Sequence, residues 1–390
     1  MTTRRLLILG STGSIGTQAL DVVAHVNGLH ERGQSPVRFD IVGLAAKSNE
    51  TKILEQAERF GVRDLAMCES NGGASARRRV GRDAAERLVL EVDCDLVLAA
   101  MVGIAGLPAT LAAVELGRDV ALANKETLVA AGAIMVAAAK KSGAKLLPVD
   151  SEHSGVWQAL GTHLAPPLAC GAEVAKVTLT ASGGPFRTWS KQEIAKVTPA
   201  QALRHPTWSM GPKVTIDSAS LMNKALELIE AHWLFGLPAH KLDAVIHPQS
   251  IVHAIIEHAD GSLIAQLAAP DMRLPIQVAL THPRRPPSPV GPVDLASLKH
   301  LDFETVDHDR FPAIELARRV IERGGAAGAA LNAANEVAVS EFLAGARPFD
   351  TIASAAARAL DAIAAPIHTL TDVFIADERA RAVARAEVGS

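Results

Sequence analysis

Two carboxylates separated by one residue, Asp150 and Glu152, close the apolar run Ala144 to Val149. If that run is a strand, alternation of side chains sends both to the same side. Like charges held together repel unless a cation or a shared proton lies between them. A hard divalent ion such as Mg²⁺ or Mn²⁺ takes one or two carboxylates with water and substrate oxygens. A solvated strand end followed by a helix cap would look the same at this point. A second polar group lies downstream. Asn223, Lys224 and Glu227 share one face of a predicted helix, Leu221 to Phe235, and Glu230 extends that face. The other face, with Leu221, Leu228, Trp233 and Leu234, supplies the core, and Ser218 precedes the helix. The polar face resembles equipment for a phosphate and a metal; a solvated Lys224–Glu227 pair is the plainer alternative. Lys125 follows the apolar run 119–123 at a predicted helix start, where a cation opposes the helix dipole and a purely structural role is less attractive.

The elements that must position these groups begin with residues 5–9, an apolar run entering Gly10-Ser11-Thr12-Gly13-Ser14-Ile15-Gly16 and then a helical pattern. Strand, glycine turn and helix form the context in which backbone N–H groups and the helix dipole hold a pyrophosphate. The spacing G-x-x-G-x-x-G is a variant of the usual G-x-G-x-x-G. After the next strand, 39–45, an NAD enzyme would place an acid against the ribose hydroxyls. Here Ala46-Lys47-Ser48-Asn49 offers a cation and two hydrogen-bonding side chains, which favours the 2′-phosphate of NADP. Further strand–helix units, with strands at 64–68, 95–100 and 119–123, predict a parallel, doubly wound sheet. Ligands bind at the carboxyl ends of such strands, where Lys125 falls.

A second α/β region starts with the alternating run Lys176 to Thr180 and opens into Ser182-Gly183-Gly184, a turn able to wrap an anion. From Ser182 to Gly211 apolar periodicity is weak, yet Trp189, His205, Trp208 and Met210 lie within; this is a lid or an inert loop. Asp260-Gly261 between two strand-like runs predicts an antiparallel hairpin. His247 and His253 have no zinc-type spacing with a cysteine and read as hydrogen-bonded structural residues. Five prolines between Pro283 and Pro292 predict a stiff linker. Four helical patterns follow, Pro312 to Glu322, Leu331 to Leu343, Thr351 to Ile363 and Asp377 to Val388, suggesting a small bundle. The expected fold class is α/β, divided into a Rossmann-like dinucleotide domain (1–149), a catalytic α/β domain (150–282, flap about 182–211), a linker (283–311) and a C-terminal helical domain (312–390).

At 390 residues the chain exceeds a single core. A net charge of −3 gives no footprint for nucleic acid or membrane surfaces. Cys68, Cys94 and Cys170 are far apart, which argues against disulfides or structural zinc and fits a reducing, cytoplasmic setting. The longest uncharged run, Leu96 to Val114, is interrupted by Gly103, Gly106 and Pro108, and no targeting segment is seen.

Taken together, eight segments resemble the 1-deoxy-D-xylulose 5-phosphate reductoisomerase family in order and spacing. They are Gly10–Gly16, Ala123–Glu126, Pro148–His153, Thr180–Arg187, Arg204–Gly211, Met222–Ala231, His247–His253 and Leu331–Glu336. The resemblance implies NADPH binding by Thr12, Gly13, Ser14, Ile15, Lys47, Ser48, Asn49, Asn124, Glu126 and Gly211. It implies one Mg²⁺, Mn²⁺ or Co²⁺ ion on Asp150, Glu152 and Glu227, which with Lys125 form the catalytic set. Substrate contacts fall to Lys125, Ser151, Glu152 and Glu227, and contacts centred on its phosphate to Ser182, His205, Ser218, Asn223 and Lys224. A flap closed by Trp208 and a homodimer are also implied. The implied reaction is rearrangement of 1-deoxy-D-xylulose 5-phosphate, by a retro-aldol and aldol pair, and its reduction to 2-C-methyl-D-erythritol 4-phosphate in isoprenoid synthesis. Another NADP-dependent sugar-phosphate dehydrogenase and a non-redox metal-dependent aldolase are the competing classes.

Overall fold

A computed structural model describes residues 2–386 apart from 71, 76 and 209. The chain divides into two compact units. Unit 1 comprises Met1–Thr127, Met135–Pro167 and Asp271–Gly291; unit 2 comprises Leu128–Ile134, Leu168–Pro270 and Pro292–Ser390. Sequence reasoning expected three domains and a linker. The unit limits instead pass the expected 149/150 boundary by some way, to Pro167. The 283–311 segment is shared, and residues from 312 onward pack into the same unit as the second sheet.

Unit 1 is built on seven parallel strands: β1 (Thr2–Leu9), β2 (Val37–Ala46), β3 (Asp64–Met67), β4 (Arg78–Val80), β5 (Leu96–Ala99), β6 (Asp119–Leu122) and β7 (Leu146–Pro148). Their order is β4-β3-β2-β1-β5-β6-β7, so the winding reverses between β1 and β5. Leu6, Leu7, Ile8 and Leu9 are all fully buried, as are Leu96, Val97 and Leu98. Continuous apolar burial rather than alternation is what a sheet covered on both faces requires. Helices α1 (Ser14–Glu31), α2 (Glu50–Phe60), α3 (Lys125–Ser142) and α4 (Ser151–Ala159) follow β1, β2, β6 and β7. The α3 helix is kinked at Ala131 (φ −136°, ψ 26°), and its residues Leu128–Ile134 belong to unit 2. The proline stretch is held in unit 1: Gln277 Nε2 donates to the carbonyls of Pro286 (2.8 Å) and Pro287 (3.2 Å).

Unit 2 contains a four-stranded sheet in the order β11-β10-β8-β9, from β8 (Val174–Ala181), β9 (Leu242–Ile246), β10 (Val252–His258) and β11 (Leu263–Leu267). The expected hairpin is β10–β11, paired antiparallel with Glu257 opposite Leu263. Helices α5 (Pro212–Ala219) and α6 (Met222–Phe235) are joined by a sharp corner at Ser220 and Leu221. Leu221 is left-handed (φ 57°) and only 3% exposed. A branched side chain in that region is strained by roughly 1–2 kcal/mol, and its burial offsets the strain. The C-terminal helices α7 (Ala313–Arg323), α8 (Ala327–Leu343), α9 (Thr351–Ala362) and α10 (Leu370–Arg385) match the four expected helical patterns. The last two residues of the pattern reaching Val388 lie outside the described residues. Among the described residues no helix is long and apolar enough to cross a membrane.

Candidate active site

The glycine turn sits at the reversal point of the unit 1 sheet. Gly10 has φ +89°, and a Cβ there would stand 2.4 Å from the carbonyl oxygen of Ala100, just beyond β5. A Cβ on Gly16 would lie 2.3 Å from the Gly10 oxygen. Both positions therefore need glycine to let the turn close. Gly13 caps α1 in an extended conformation and has no side chain to bond the first-turn N–H groups, which stay available to an anion. Gly13 and Ser14 are exposed, and Thr12 and Ile15 half-buried. Such a cradle fits a dinucleotide pyrophosphate. Two residues that sequence reasoning passed over secure the turn from α2. Lys52 Nζ donates to the Thr12 carbonyl (2.9 Å) and Gln56 Nε2 to that of Ser11 (2.9 Å). Their spacing of four on one helix face was the available signal.

Lys47, Ser48 and Asn49 are exposed at the end of β2. The Lys47 ammonium is 4.0 Å from Glu69, a weak solvated pair that leaves it open to an anionic group. Asn49 has a local duty, accepting the Lys52 N–H (3.1 Å) as the α2 cap. Asn124 is also occupied: it accepts the Thr127 N–H (3.0 Å) and donates to the carbonyls of Met101 and Gly103. It is 2% exposed, so what it offers a cofactor is the shape of the loop after β5. Glu126, in the first turn of α3, is likewise buried.

At the end of β7 the expected strand alternation does not hold. The strand stops at Pro148 and Ser151 already begins α4, so strand alternation does not set the directions of Asp150 and Glu152. Asp150 occupies the cap position of α4 but makes no capping bond. Its Oδ2 is buried, stands 3.0 Å from Lys125 Nζ and 3.9 Å from His153 Nδ1, and accepts no hydrogen bond. A buried carboxylate oxygen in an ion pair without a directed hydrogen bond keeps a lone pair for a metal, so the donor set fits a hard cation. Glu152, in the first turn of α4, accepts from Ser151 Oγ (2.7 Å), and both are half-buried.

In unit 2, His205 is the hub. Its Nε2 lies 3.1 Å from Ser182 Oγ and 3.0 Å from Ser218 Oγ. Its Nδ1 accepts the backbone N–H groups of Thr207 (3.1 Å) and Trp208 (2.8 Å). Two donors on Nδ1 place the ring proton on Nε2, and burial pushes the imidazole pKa below its ordinary value. The ring is thus neutral, with one N–H facing two hydroxyls. The turn from Ser182 is pressed on α5: a Cβ on Gly184 (φ +64°) would meet the Ala219 Cα at 2.9 Å. On the first turns of α6, Asn223 Nδ2 and Lys224 Nζ donate to the two oxygens of Glu227. Lys224 and Glu227 are each 2% exposed. The bland solvated pair is thereby excluded; a buried, doubly donated carboxylate lies beside a buried ammonium.

The expected flap proves to be packed over much of its length. Phe186 is buried edge-on against Phe349 (5.3 Å), and Arg310 Nη1 donates to the carbonyls of Arg187 (3.0 Å) and Trp189 (2.6 Å). Two one-turn helices, Lys191–Ile194 and Pro199–Ala202, each carry a capping box, and Ile194 and Ala202 are buried. Between those helices and α5, residues 203–208 form no helix or strand, and they carry His205 and the half-buried Trp208. Gly211, the remaining expected cofactor residue, caps α5 in unit 2 and is exposed. His247 and His253 behave as structural residues: His247 Nδ1 pairs with the Asp302 carbonyl (2.8 Å) and its Nε2 accepts from Ile251 (3.2 Å). His253 Nε2 lies 3.3 Å from the Ala268 carbonyl.

A glycine turn at the reversal of a parallel sheet, with an ion-paired carboxylate after β7 of the same sheet, is the architecture of dinucleotide-dependent oxidoreductases. Family profiles for 1-deoxy-D-xylulose 5-phosphate reductoisomerase match residues 6–132, and those for its C-terminal domains match 146–235 and 267–383. The 1-deoxy-D-xylulose 5-phosphate reductoisomerase of Bordetella avium (strain 197N) is 45% identical, covering 98% of each chain. A solved reductoisomerase from Zymomonas mobilis, in complex with NADPH, is 40% identical with a TM-score of 0.89 over the whole of both chains. A DOX-P reductoisomerase in complex with NADPH, fosmidomycin and magnesium is 36% identical, also with a TM-score of 0.89, covering 99% of this chain and 98% of that one. The chain belongs to the 1-deoxy-D-xylulose 5-phosphate reductoisomerase family.

Proposed function

We propose that this enzyme is an NADPH- and divalent-metal-dependent oxidoreductase that rearranges and reduces 1-deoxy-D-xylulose 5-phosphate to 2-C-methyl-D-erythritol 4-phosphate. Full-length kinship with reductoisomerases solved with NADPH and with magnesium supports this reading over a plain dehydrogenase or a non-redox aldolase. NADPH supplies the hydride, and a divalent cation supplies a Lewis acid for the substrate's carbonyl and hydroxyl oxygens. We assign the cation to Asp150, Glu152 and Glu227, and the pyrophosphate to the turn Thr12 to Ile15. Lys47 and Ser48 serve the 2′-phosphate; Asn49, Asn124, Glu126 and Gly211 complete the cofactor set. Lys125 holds Asp150 and opposes the negative charge that develops when the carbon–carbon bond breaks and reforms.

The observation that carries the substrate assignment is the neutral imidazole of His205 between two hydroxyls. Ser182, Ser218 and the His205 N–H are donors suited to phosphate oxygens, with the Asn223 amide and the Lys224 ammonium a few residues on. Remote phosphate binding of this kind orders the stretch around Trp208. Ser151 contributes a further hydroxyl to the substrate. Action as a cytoplasmic homodimer, with Mn²⁺ or Co²⁺ replacing Mg²⁺, is the finer reading. The exposed edge strand β11, with Leu263 65% and Ile264 44% exposed, supports the dimer. The direct test is loss of NADPH absorbance on adding 1-deoxy-D-xylulose 5-phosphate with Mg²⁺. The signal should vanish with a chelator and return with metal; oxidation indifferent to the chelator would point to an ordinary dehydrogenase.

A further inference from the structure

Asp217 is a carboxylate that the reaction does not use, yet it is 1% exposed. It lies next to Ser218 on α5. Its Oδ2 is 3.0 Å from Lys213 Nζ, one turn earlier on the same helix. Its Oδ1 accepts from Asn335 Nδ2 (2.8 Å), which comes from α8, 118 residues along the chain. Asn335 is wholly buried, and its Oδ1 finds no partner among the described residues. A buried charge is tolerated only when paired and hydrogen-bonded, and a buried orphan carbonyl is a further penalty. Keeping both in a core of small apolar residues (Ala333, Ala334 and Ala338 on α8 are fully buried) calls for a return elsewhere.

That return is orientation. The α5 helix is short: Gly211 caps its start and Ser220 its end, just before the strained Leu221. Its N-terminal end, with Gly211 and Pro212 exposed, gives it no rigid mooring. Rotating α5 by one residue, about 100°, would carry Ser218 away from His205. We infer that Asp217, clamped by Asn335 and Lys213, is a positioning residue that fixes the rotation of α5 and so sets Ser218 in the substrate's phosphate subsite. The inference rests on the phosphate role proposed for Ser218.

The test compares Asp217→Asn, Asn335→Asp and the exchange Asp217→Asn/Asn335→Asp with Ser218→Ala in the full-length enzyme. Steady-state kinetics, competitive inhibition by inorganic phosphate and thermal unfolding are read for each. Each single change should raise the KM for the sugar phosphate about tenfold, within the span that directly contacting pairs show. The phosphate inhibition constant should rise in parallel, with kcat and the KM for NADPH nearly unchanged. The exchange restores a carboxylate–amide pair and should recover most of the loss. A folded Asp217→Asn enzyme with unaltered sugar-phosphate KM, or one whose two KM values rise equally, overturns the inference. If Asp217→Asn does not fold, Asn335→Ser removes the same amide donor, and an unaltered KM there is equally decisive against it. If Ser218→Ala itself leaves KM and phosphate inhibition unchanged, the phosphate reading fails instead.

Discussion

His205 bonds through both ring nitrogens, and two substitutions separate them. Asparagine places its amide oxygen near the position of Nδ1, whereas glutamine places its amide nitrogen near that of Nε2. His205→Gln therefore keeps a donor for Ser182 and Ser218 but removes the acceptor of the Thr207 and Trp208 N–H groups. Two lost hydrogen bonds at about 0.5–1.5 kcal/mol each amount to roughly 1–3 kcal/mol of local order in residues 203–208. That stretch has little packing of its own, so the loss should appear as faster proteolysis and amide exchange there, with a small change in global stability. His205→Asn keeps the backbone bonds and removes the Nε2–H. It should leave protection of residues 203–208 near the parent level and raise the KM for the sugar phosphate about tenfold, the equivalent of one hydrogen bond to a charged oxygen. Proteolysis mapped by mass spectrometry and steady-state kinetics on both variants are the assays. If the two variants lose protection and affinity in the same proportion, the division of labour between the nitrogens is wrong.

Other outcomes are equally specific. Asp150→Asn should abolish turnover and weaken Mn²⁺ binding, measured by calorimetry, while NADPH binding and the melting curve stay near the parent; a loss of fold would make Asp150 structural. Gly10→Ala combines a positive φ with a 2.4 Å clash against a backbone oxygen, so it should destabilise by more than about 1 kcal/mol and weaken NADPH together. Gly132→Ala would drive a methyl to 2.3 Å from the Trp233 ring and should cost about 1–3 kcal/mol of stability by urea unfolding. Because burial lowers the folded-state pKa of His205, the unfolded chain binds more protons as pH falls below about 6.5. Its contribution is whole above that pH and is lost as pH drops toward the folded pKa. In His205→Asn the decline of stability as pH falls below about 6.5 should be shallower, and an unchanged slope would refute it.

Local patterning made the unit 1 sheet legible. Most strands are short apolar runs, and the helices between carry their own periodicity; β4, with two arginines and one valine, has no such run and was not expected. The Gly10–Gly16 turn was legible for the same reason, since its meaning depends only on the strand before it and the helix after. Directions at strand ends were not. Asp150 and Glu152 were expected to follow β alternation, but the chain changes from strand to helix within three residues, and the period changes with it. The lid was legible as a loop with aromatic content, but not its anchorage, because the Phe186–Phe349 and Arg310–Trp189 contacts join residues more than a hundred positions apart. Asp217 was hidden for that reason too: an acid inside a helical run carries no mark of the Asn335 that meets it. Asn335 entered only within the family-like segment Leu331–Glu336, and nothing there names its partner.

The discontinuity of unit 1 bears on how the protein is made. β1, which leaves the ribosome ahead of the other strands of its sheet, finishes its surroundings with a segment synthesised much later. Arg4 Nη1 donates to the carbonyls of Leu280 (2.8 Å) and His282 (3.1 Å), at the end of the helix Arg273–Thr281. Translation must run from Pro167 to Gly291 before that segment is available, a delay of roughly 6–25 s at about 5–20 residues per second. For that interval the nascent parallel sheet has an uncovered apolar flank, while the N-terminal part of the second sheet is already emerging. Ribosome-bound chaperones should therefore engage chains stalled before residue 291 and release those stalled beyond it, once the exit tunnel has been cleared.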